Sequence, residues 1–211
     1  MENKADYSDD IRSIRKIMEE SSRFLSLSGL SGVFAGVTAV AGGCIAQFVI
    51  LKNSSLFTGG SLSSLSSINS SPLKPGLFID ALVVLLLALA GAIIFSVRKA
   101  KQKDQRLWTP VSKRLLVNLF IPLITGAFLI VVFCVENQWQ YIIPVMLIFY
   151  GLSLVSAGKF TFGEVFYLGL AELITGCLSA VFHELSVFFW IFGFGILHII
   201  YGIVMYSKYE S

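Results

Sequence analysis

Six stretches of this sequence are each long and apolar enough to cross a lipid bilayer as an α-helix. A helix needs about 20 mostly apolar residues for the hydrocarbon core, where every backbone polar group must be satisfied internally. Charged residues make up only 14% of the chain, against about 25% in soluble domains. The sequence therefore predicts an all-α, polytopic membrane protein with six transmembrane helices and no separate soluble domain. The predicted spans are residues 24–51, 76–97, 115–135, 139–157, 163–182 and 187–206.

Basic residues cluster between the second and third predicted spans, and this cluster predicts the topology. Its members are Arg98, Lys99, Lys101, Lys103, Arg106, Lys113 and Arg114. Loops rich in lysine and arginine stay in the cytoplasm. With six spans, both termini then lie in the cytoplasm, the chain forms three helical hairpins, and residues 207–211 are a short cytoplasmic tail. The basic loop has no glycine-rich or aromatic partners, so we expect no nucleic-acid binding.

The first 23 residues are charged and are predicted to form a cytoplasmic amphipathic helix. Ser8 supplies a capping side chain, and Asp9 and Asp10 place acids in the first turn. Isoleucines 11 and 14 then recur at helical spacing. Such a helix lies on the membrane surface or under the bundle, or residues 8–22 bind a cytoplasmic partner.

Glu172 and His198 each stand alone within an apolar span, and each is framed by two glycines. The frames read Gly169-x-x-Glu172-x-x-x-Gly176 and Gly195-x-x-His198-x-x-x-Gly202. Residues at i, i+3 and i+7 share one face of a helix, and small residues in membranes mark faces where helices approach closely. The two residues are equally distant from Leu185, so an antiparallel hairpin places both near mid-bilayer. An ionisable group at that depth indicates a functional site.

Two interpretations of this pair remain open. In the first, a neutral Glu172–His198 hydrogen bond joins two helices and contributes roughly 0.6–2 kcal/mol. In the second, the pair exchanges a proton, since desolvation disfavours both charges whereas their attraction favours them. Against transport, the sequence shows no broken helix and few polar residues to line a path.

Other features indicate packing and interfaces rather than chemistry. Small residues in the first span, including Gly32 and Gly36, form a continuous face for a neighbouring helix. Lys159 and Glu164 are predicted to pair at the inner interface. The chain carries no HExxH motif, paired aspartates or serine–histidine arrangement, and its cysteines lack metal-ligand spacing. We therefore expect neither an enzyme nor a metal or other cofactor.

Short segments repeat at an offset of about 50 residues, as in internally duplicated proteins. Residues 123–126 (LITG) recur at 173–176, and the Tyr-Gly pair at 150 recurs at 201. This three-hairpin pattern resembles the six-span bacterial membrane proteins of the HdeD type, which are associated with acid stress. Segments 11–15, 26–32 and 199–206 resemble a group of membrane proteins from Bacteroidetes-type bacteria, which implies no known activity.

These observations predict an integral protein of a bacterial inner (plasma) membrane, surrounded by lipid. Its small-residue faces and N-terminal helix favour a non-catalytic stress-response, sensor or scaffold component that forms a homo-oligomer or binds a membrane partner. The alternative is proton-coupled or small-molecule transport that uses Glu172 and His198.

Overall fold

The computed structural model describes residues 27–53, 73–102 and 108–210. Within these ranges the chain is helical, with short turns and no β-strand. The predicted cytoplasmic amphipathic helix of residues 1–23, with its partner-binding segment 8–22, lies outside the described residues. The α-helices are α1 (Gly29–Asn53), α2 (Leu73–Gln102), α3 (Pro110–Val135), α4 (Ile142–Ala157), α5 (Gly163–Val181), α6 (Ser186–Trp190) and α7 (His198–Tyr209).

Three 3-10 turns and one π-helical segment connect these helices. The turns are Trp139–Tyr141 before α4, Gly158–Phe160 after it and His183–Leu185 before α6. The π-helical segment, Ile191–Leu197, joins α6 to α7. The residues His183–Tyr209 form one continuous helical stretch, which we call the last helix.

The described residues contain six helices long and apolar enough to cross a membrane, which confirms the predicted multi-pass membrane protein. They are Gly29–Phe48, Gly76–Gln102, Pro110–Val135, Trp139–Phe160, Gly163–Val181 and His183–Tyr209. Several helices extend further than predicted. α2 continues through Lys99 and Lys101, because basic side chains in the last turn interact favourably with the helix dipole. α3 begins early because Thr109 forms a capping box with Ser112 and Pro110 suits the first turn.

Glycines bring α1 and the last helix into backbone contact. A Cβ on Gly36 would lie 2.6 Å from the carbonyl oxygen of Gly195, and one on Gly202 would lie 2.6 Å from that of Gly29. A Cβ on Gly32 would lie 3.1 Å from the Cα of Gly202. The contacts run in opposite order along the two helices, which are therefore antiparallel. Four of the six glycines singled out from the sequence lie in this interface.

The remaining two, Gly169 and Gly176, lie between α5 and α4. A Cβ on Gly169 would lie 2.7 Å from the backbone nitrogen of Val155, and one on Gly176 would lie 2.8 Å from that of Ile148. Gly151 of α4 approaches α5 as closely, with its added Cβ 2.8 Å from the Gly169 carbonyl oxygen. α4 is thus the main neighbour of α5, as α1 is of the last helix.

The helices therefore form two units. The first unit contains α1, α2 and the last helix, and the second contains α3, α4 and α5, because each member packs principally within its own set. The contact between α5 and the last helix, which we call the seam, joins the two units. The helix ends that meet at Glu210 define one end of the bundle, the Glu210 end. Trp139 lies at the other end, the Trp139 end.

Apolar side chains fill the seam above and below its centre. Toward the Glu210 end, Met205 packs with Leu154, Phe162, Val165 and Leu168. Toward the Trp139 end, a second cluster contains Trp139, Leu147, Val187 and Trp190 together with other buried residues. The polar pair lies between these two layers.

Candidate functional site

Glu172 and His198 meet at the centre of the seam. Glu172 of α5 is fully buried, and His198, the first residue of α7, is 6% exposed. The His198 Nδ1 atom lies 3.3 Å from Glu172 Oε1. The antiparallel packing of α5 and the last helix places a carboxyl and an imidazole at the same level of an otherwise apolar core.

A backbone carbonyl determines which imidazole nitrogen carries a proton. His198 Nδ1 lies 3.1 Å from the carbonyl oxygen of Gly193. A carbonyl oxygen only accepts hydrogen bonds, so Nδ1 must be protonated. The Nδ1–H then donates to the Gly193 carbonyl, which leaves Nε2 available to a further partner.

Tyr150 of α4 completes the site by contacting Nε2. Its hydroxyl lies 2.7 Å from His198 Nε2, and its ring stacks on the imidazole at a centroid distance of 5.4 Å. A phenol hydroxyl both donates and accepts. Tyr150 therefore donates to a neutral His198 and accepts from a protonated one, so this contact is available in both charge states.

The Glu172 carboxylate lacks comparable partners. Neither of its buried oxygens makes a hydrogen bond, because the approach of Nδ1 at 3.3 Å is long and not well directed. Room for the carboxylate comes from Gly193, where an added Cβ would lie 2.6 Å from Oε2. A buried, unsatisfied polar group in a folded protein requires an explanation, such as local strain, a catalytic role or an ordered water or ion.

The π-helical segment shapes the last-helix side of the site. It contains Gly193 and ends directly before His198. π-helical turns are rare and occur frequently at functional sites. The sequence shows no break in this span, and the two glycines within the segment are the only signal for the irregularity.

Sequence reasoning identified Glu172 and His198 but missed Tyr150 and Gly193. Tyr150 appeared only as half of a repeated Tyr-Gly pair, and Gly193 lies outside the glycine frame around His198. Thr175 and Ser179 continue the buried polar face of α5, one and two turns beyond Glu172.

The predicted pairing of Lys159 with Glu164 needs correction. Glu164 Oε1 lies 2.5 Å from Lys208 Nζ, and the Tyr209 hydroxyl donates to the carboxylate at 3.1 Å. Glu164 sits in the first turn of α5, beside the last turn of α7. Lys159 lies exposed in the turn before α5, so the antiparallel neighbour reaches the carboxylate instead. We call Glu164, Lys208 and Tyr209 the Glu164 cluster.

A second charged cluster, which the sequence did not reveal, joins three helix ends. Glu210 Oε1 lies 2.9 Å from Lys99 Nζ and accepts the Gly29 N–H at 2.6 Å, while Oε2 accepts from the Ser28 hydroxyl at 3.2 Å. Lys99 also donates to the carbonyl of Leu27. Burial alone raises the pKa of the Glu210 carboxyl, but these hydrogen bonds and the lysine charge hold it below its usual value. These contacts tie the first unit together at this end, and we call Ser28, Gly29, Lys99 and Glu210 the Glu210 cluster.

Comparison with known proteins adds no family. No protein-family model matches the chain, and no curated protein or solved structure is significantly similar to it. In the part of the chain that the structure describes, no three histidine, cysteine or acidic side chains group as metal ligands. Any functional assignment therefore depends on the geometry of the seam.

Proposed function

We propose that this chain is a proton-coupled transport protein of a bacterial inner membrane, in which Glu172 and His198 exchange the proton. The observation that supports it most strongly is the fully buried Glu172 carboxylate, which has no hydrogen bond and one imidazole nitrogen at 3.3 Å. Ionisable groups inside membranes mark ion pathways and proton relays.

A purely structural role for the pair fits this geometry poorly. Polar residues stabilise membrane helices through well-formed hydrogen bonds, and Glu172 makes none. Glycine contacts already pack each helix against its own unit, through Gly36 and Gly195 on one side and Gly151 and Gly169 on the other. Burial of the carboxylate is therefore costly, and no hydrogen bond of its own offsets that cost.

The site provides positions for the proton. With Nδ1 already protonated, a proton arriving at Nε2 converts His198 to imidazolium, which the Glu172 carboxylate balances. A proton arriving at the carboxylate instead neutralises it. Both steps leave the Nδ1 contact with Gly193 and the Tyr150 contact in place. The pair therefore accommodates different proton counts with little rearrangement, as a relay requires.

The distribution of charge supports a cytoplasmic location for the Glu210 end. α2 ends and α3 begins at this end, so Lys99 and Lys113 lie there together with Lys208. By the positive-inside rule this end faces the cytoplasm. Both termini are then cytoplasmic, and the three hairpins open toward that side.

The proposal is tested by proton flux in liposomes. Purified protein is reconstituted, a potassium diffusion potential is imposed and internal pH is followed with a trapped dye. We expect flux from the wild type and from Glu184→Gln, which alters an exposed carboxyl of the same hairpin, but not from Glu172→Gln. Equal flux from wild type and a folded Glu172→Gln protein would refute the role of the pair.

A second candidate, a scaffold or sensor that forms oligomers, is supported by the exposed faces of α2 and α3. Along the apolar stretch of each helix, only 11% of the residues of α2 and 6% of those of α3 are buried. These faces contact lipid or a second copy of the chain. Cysteine cross-linking in native membranes at Leu86, on the exposed face of α2, distinguishes contact with lipid from contact with a second copy. Capture experiments with and without residues 1–22 test the predicted cytoplasmic partner.

A further inference from the structure

We propose that the seam opens at the Glu210 end, so that water and protons reach Glu172 and His198 between α5 and the last helix. The Glu164 cluster closes this route. This inference rests on the proposed function, because it describes the route by which protons reach the same site. The structure as it stands is the closed form, with apolar layers on both sides of the pair.

The first argument is the difference between packing within the units and packing across the seam. Within the units, glycines such as Gly29, Gly151 and Gly202 allow backbone atoms of neighbouring helices to touch. Of the described glycines, only Gly193 faces across the seam, and it faces a side chain, the Glu172 carboxylate. Side-chain contacts separate more readily than interlocked backbones, so the seam is the weaker interface.

The second argument is the position of the covalent connection. α5 and the last helix are joined at the Trp139 end by the short turn His183–Leu185. Separation of the two helices is therefore smallest near this turn and largest at the opposite end, about 28 Å away along α5 at 1.5 Å per residue. The Glu210 end is thus the end at which the seam can widen.

The third argument is the chemistry of the contacts that close this end. Lys208 and Tyr209 of the last helix reach across to Glu164 of α5, at 2.5 Å and 3.1 Å. The Lys208 side chain is 58% exposed, so water readily replaces this ion pair. Beneath it, the fully buried Met205 and its apolar neighbours form the layer that separates the cluster from His198.

The Glu210 cluster makes the last helix move as part of a rigid unit. Glu210 follows Tyr209 directly and binds Lys99, Ser28 and Gly29, all within the first unit. Lys208 and Tyr209 are therefore fixed relative to α1 and α2. Opening of the seam breaks the Glu164 contacts and leaves the Glu210 contacts intact.

The opening is measured first without any flux assay. Met205→Cys and Leu147→Cys, both fully buried but on opposite sides of the polar pair, are placed singly in full-length protein whose Cys44, Cys134 and Cys177 are alanine. A membrane-impermeant methanethiosulfonate is applied from each side of proteoliposomes. We expect Met205→Cys to react about tenfold faster than Leu147→Cys, and only from the Glu210 side.

Removal of the closing contact provides the specific test. Glu164→Gln should increase the labelling rate of Met205→Cys several-fold, whereas Glu184→Gln should leave it unchanged. Equal and negligible labelling of the two buried cysteines, or a labelling rate that ignores Glu164, would overturn the proposal whatever the flux.

Cross-linking then connects the seam to transport. A Glu164→Cys/Lys208→Cys pair bridged by a short cleavable bis-thiosulfonate should lose proton flux and regain it when a reductant cleaves the bridge. A Lys99→Cys/Glu210→Cys pair is the matched control, because those side chains also meet as an ion pair at the same end but within one unit.

The outcomes separate the two proposals. Flux that persists with the seam bridged, but is lost in Glu172→Gln, overturns the route and leaves the proton role of the pair intact. Labelling of Met205→Cys that depends on Glu164, in a protein with no flux, supports an opening seam and refutes proton transport.

Discussion

The Glu172 carboxylate lies directly against the backbone of Gly193, where an added Cβ would stand 2.6 Å from Oε2. Gly193 therefore provides space for the buried carboxylate, while its carbonyl oxygen accepts from the Nδ1–H of His198. One residue of the π-helical segment thus positions both members of the pair.

Substitution of Gly193 by alanine should displace the carboxylate. The added methyl meets Glu172 Oε2 and Leu147 Cδ2, both at 2.6 Å, and overpacking of this kind costs about 1–3 kcal/mol. We expect a lower Tm in detergent and loss of proton flux. Gly163→Ala is the control, since no atom lies within 4 Å of its added Cβ. A Gly193→Ala protein with wild-type Tm and flux would show that the carboxylate needs no such space.

Tyr150→Phe should remove the hydrogen bond to Nε2 and retain the stacked ring. The Tyr150 hydroxyl lies 2.7 Å from that nitrogen and is its hydrogen-bond partner. Loss of a neutral hydrogen bond that leaves a buried group unsatisfied costs about 1–3 kcal/mol. We expect a lower Tm and slower proton flux.

The matched control for this variant is Tyr201→Phe. Tyr201 stands at the equivalent position of the sequence repeat but packs against Gly32 of α1 rather than contacting the pair. Equal effects of the two substitutions on flux would indicate that the hydroxyl of Tyr150 has no special role.

The six spans were predictable because length and apolarity alone determine whether a helix crosses a bilayer. The equal distances of Glu172 and His198 from Leu185 likewise placed them at one level, and the structure brings their polar atoms to 3.3 Å. Both inferences use only distances along the chain and regular helix geometry.

The rest depended on contacts between distant parts of the chain. Lys99 and Glu210 pair across 111 positions, and nothing in the sequence around either residue indicates the other. Lys208 replaced Lys159 as the partner of Glu164 because tertiary packing brought the end of the last helix beside the start of α5. The π-helical geometry of Ile191–Leu197 has no distinct sequence pattern, so Gly193 was not recognised.

Larger side chains at the backbone contacts within the units should destabilise the fold. Gly169→Ala places a Cβ 2.7 Å from the Val155 nitrogen, and relief requires the two helices to separate, at a cost of about 1–3 kcal/mol. Gly76→Ala, with no atom within 4 Å of the added Cβ, should not destabilise the fold and should stabilise it by up to about 1 kcal/mol, because alanine favours a helix more than glycine does. Thermal unfolding in one detergent measures both, and similar values would contradict the importance of the glycine contacts.

Acid should weaken the Glu210 cluster. Hydrogen bonds from Lys99, Gly29 and Ser28 hold the pKa of this carboxyl below its usual value of 4.5 despite burial. A group whose pKa is lower in the folded state stabilises that state above its unfolded pKa, and this contribution is lost as pH falls through the folded value. Wild type should therefore exceed Glu210→Gln in Tm at pH 7, and the difference should shrink as the pH falls below 4.5. Glu184→Gln, which alters an exposed carboxyl at the opposite end of the last helix and leaves this cluster intact, should not reproduce that loss of difference. A Tm difference between wild type and Glu210→Gln that stays constant down to pH 3 would mean that the ionised carboxylate does not hold α1, α2 and the last helix together.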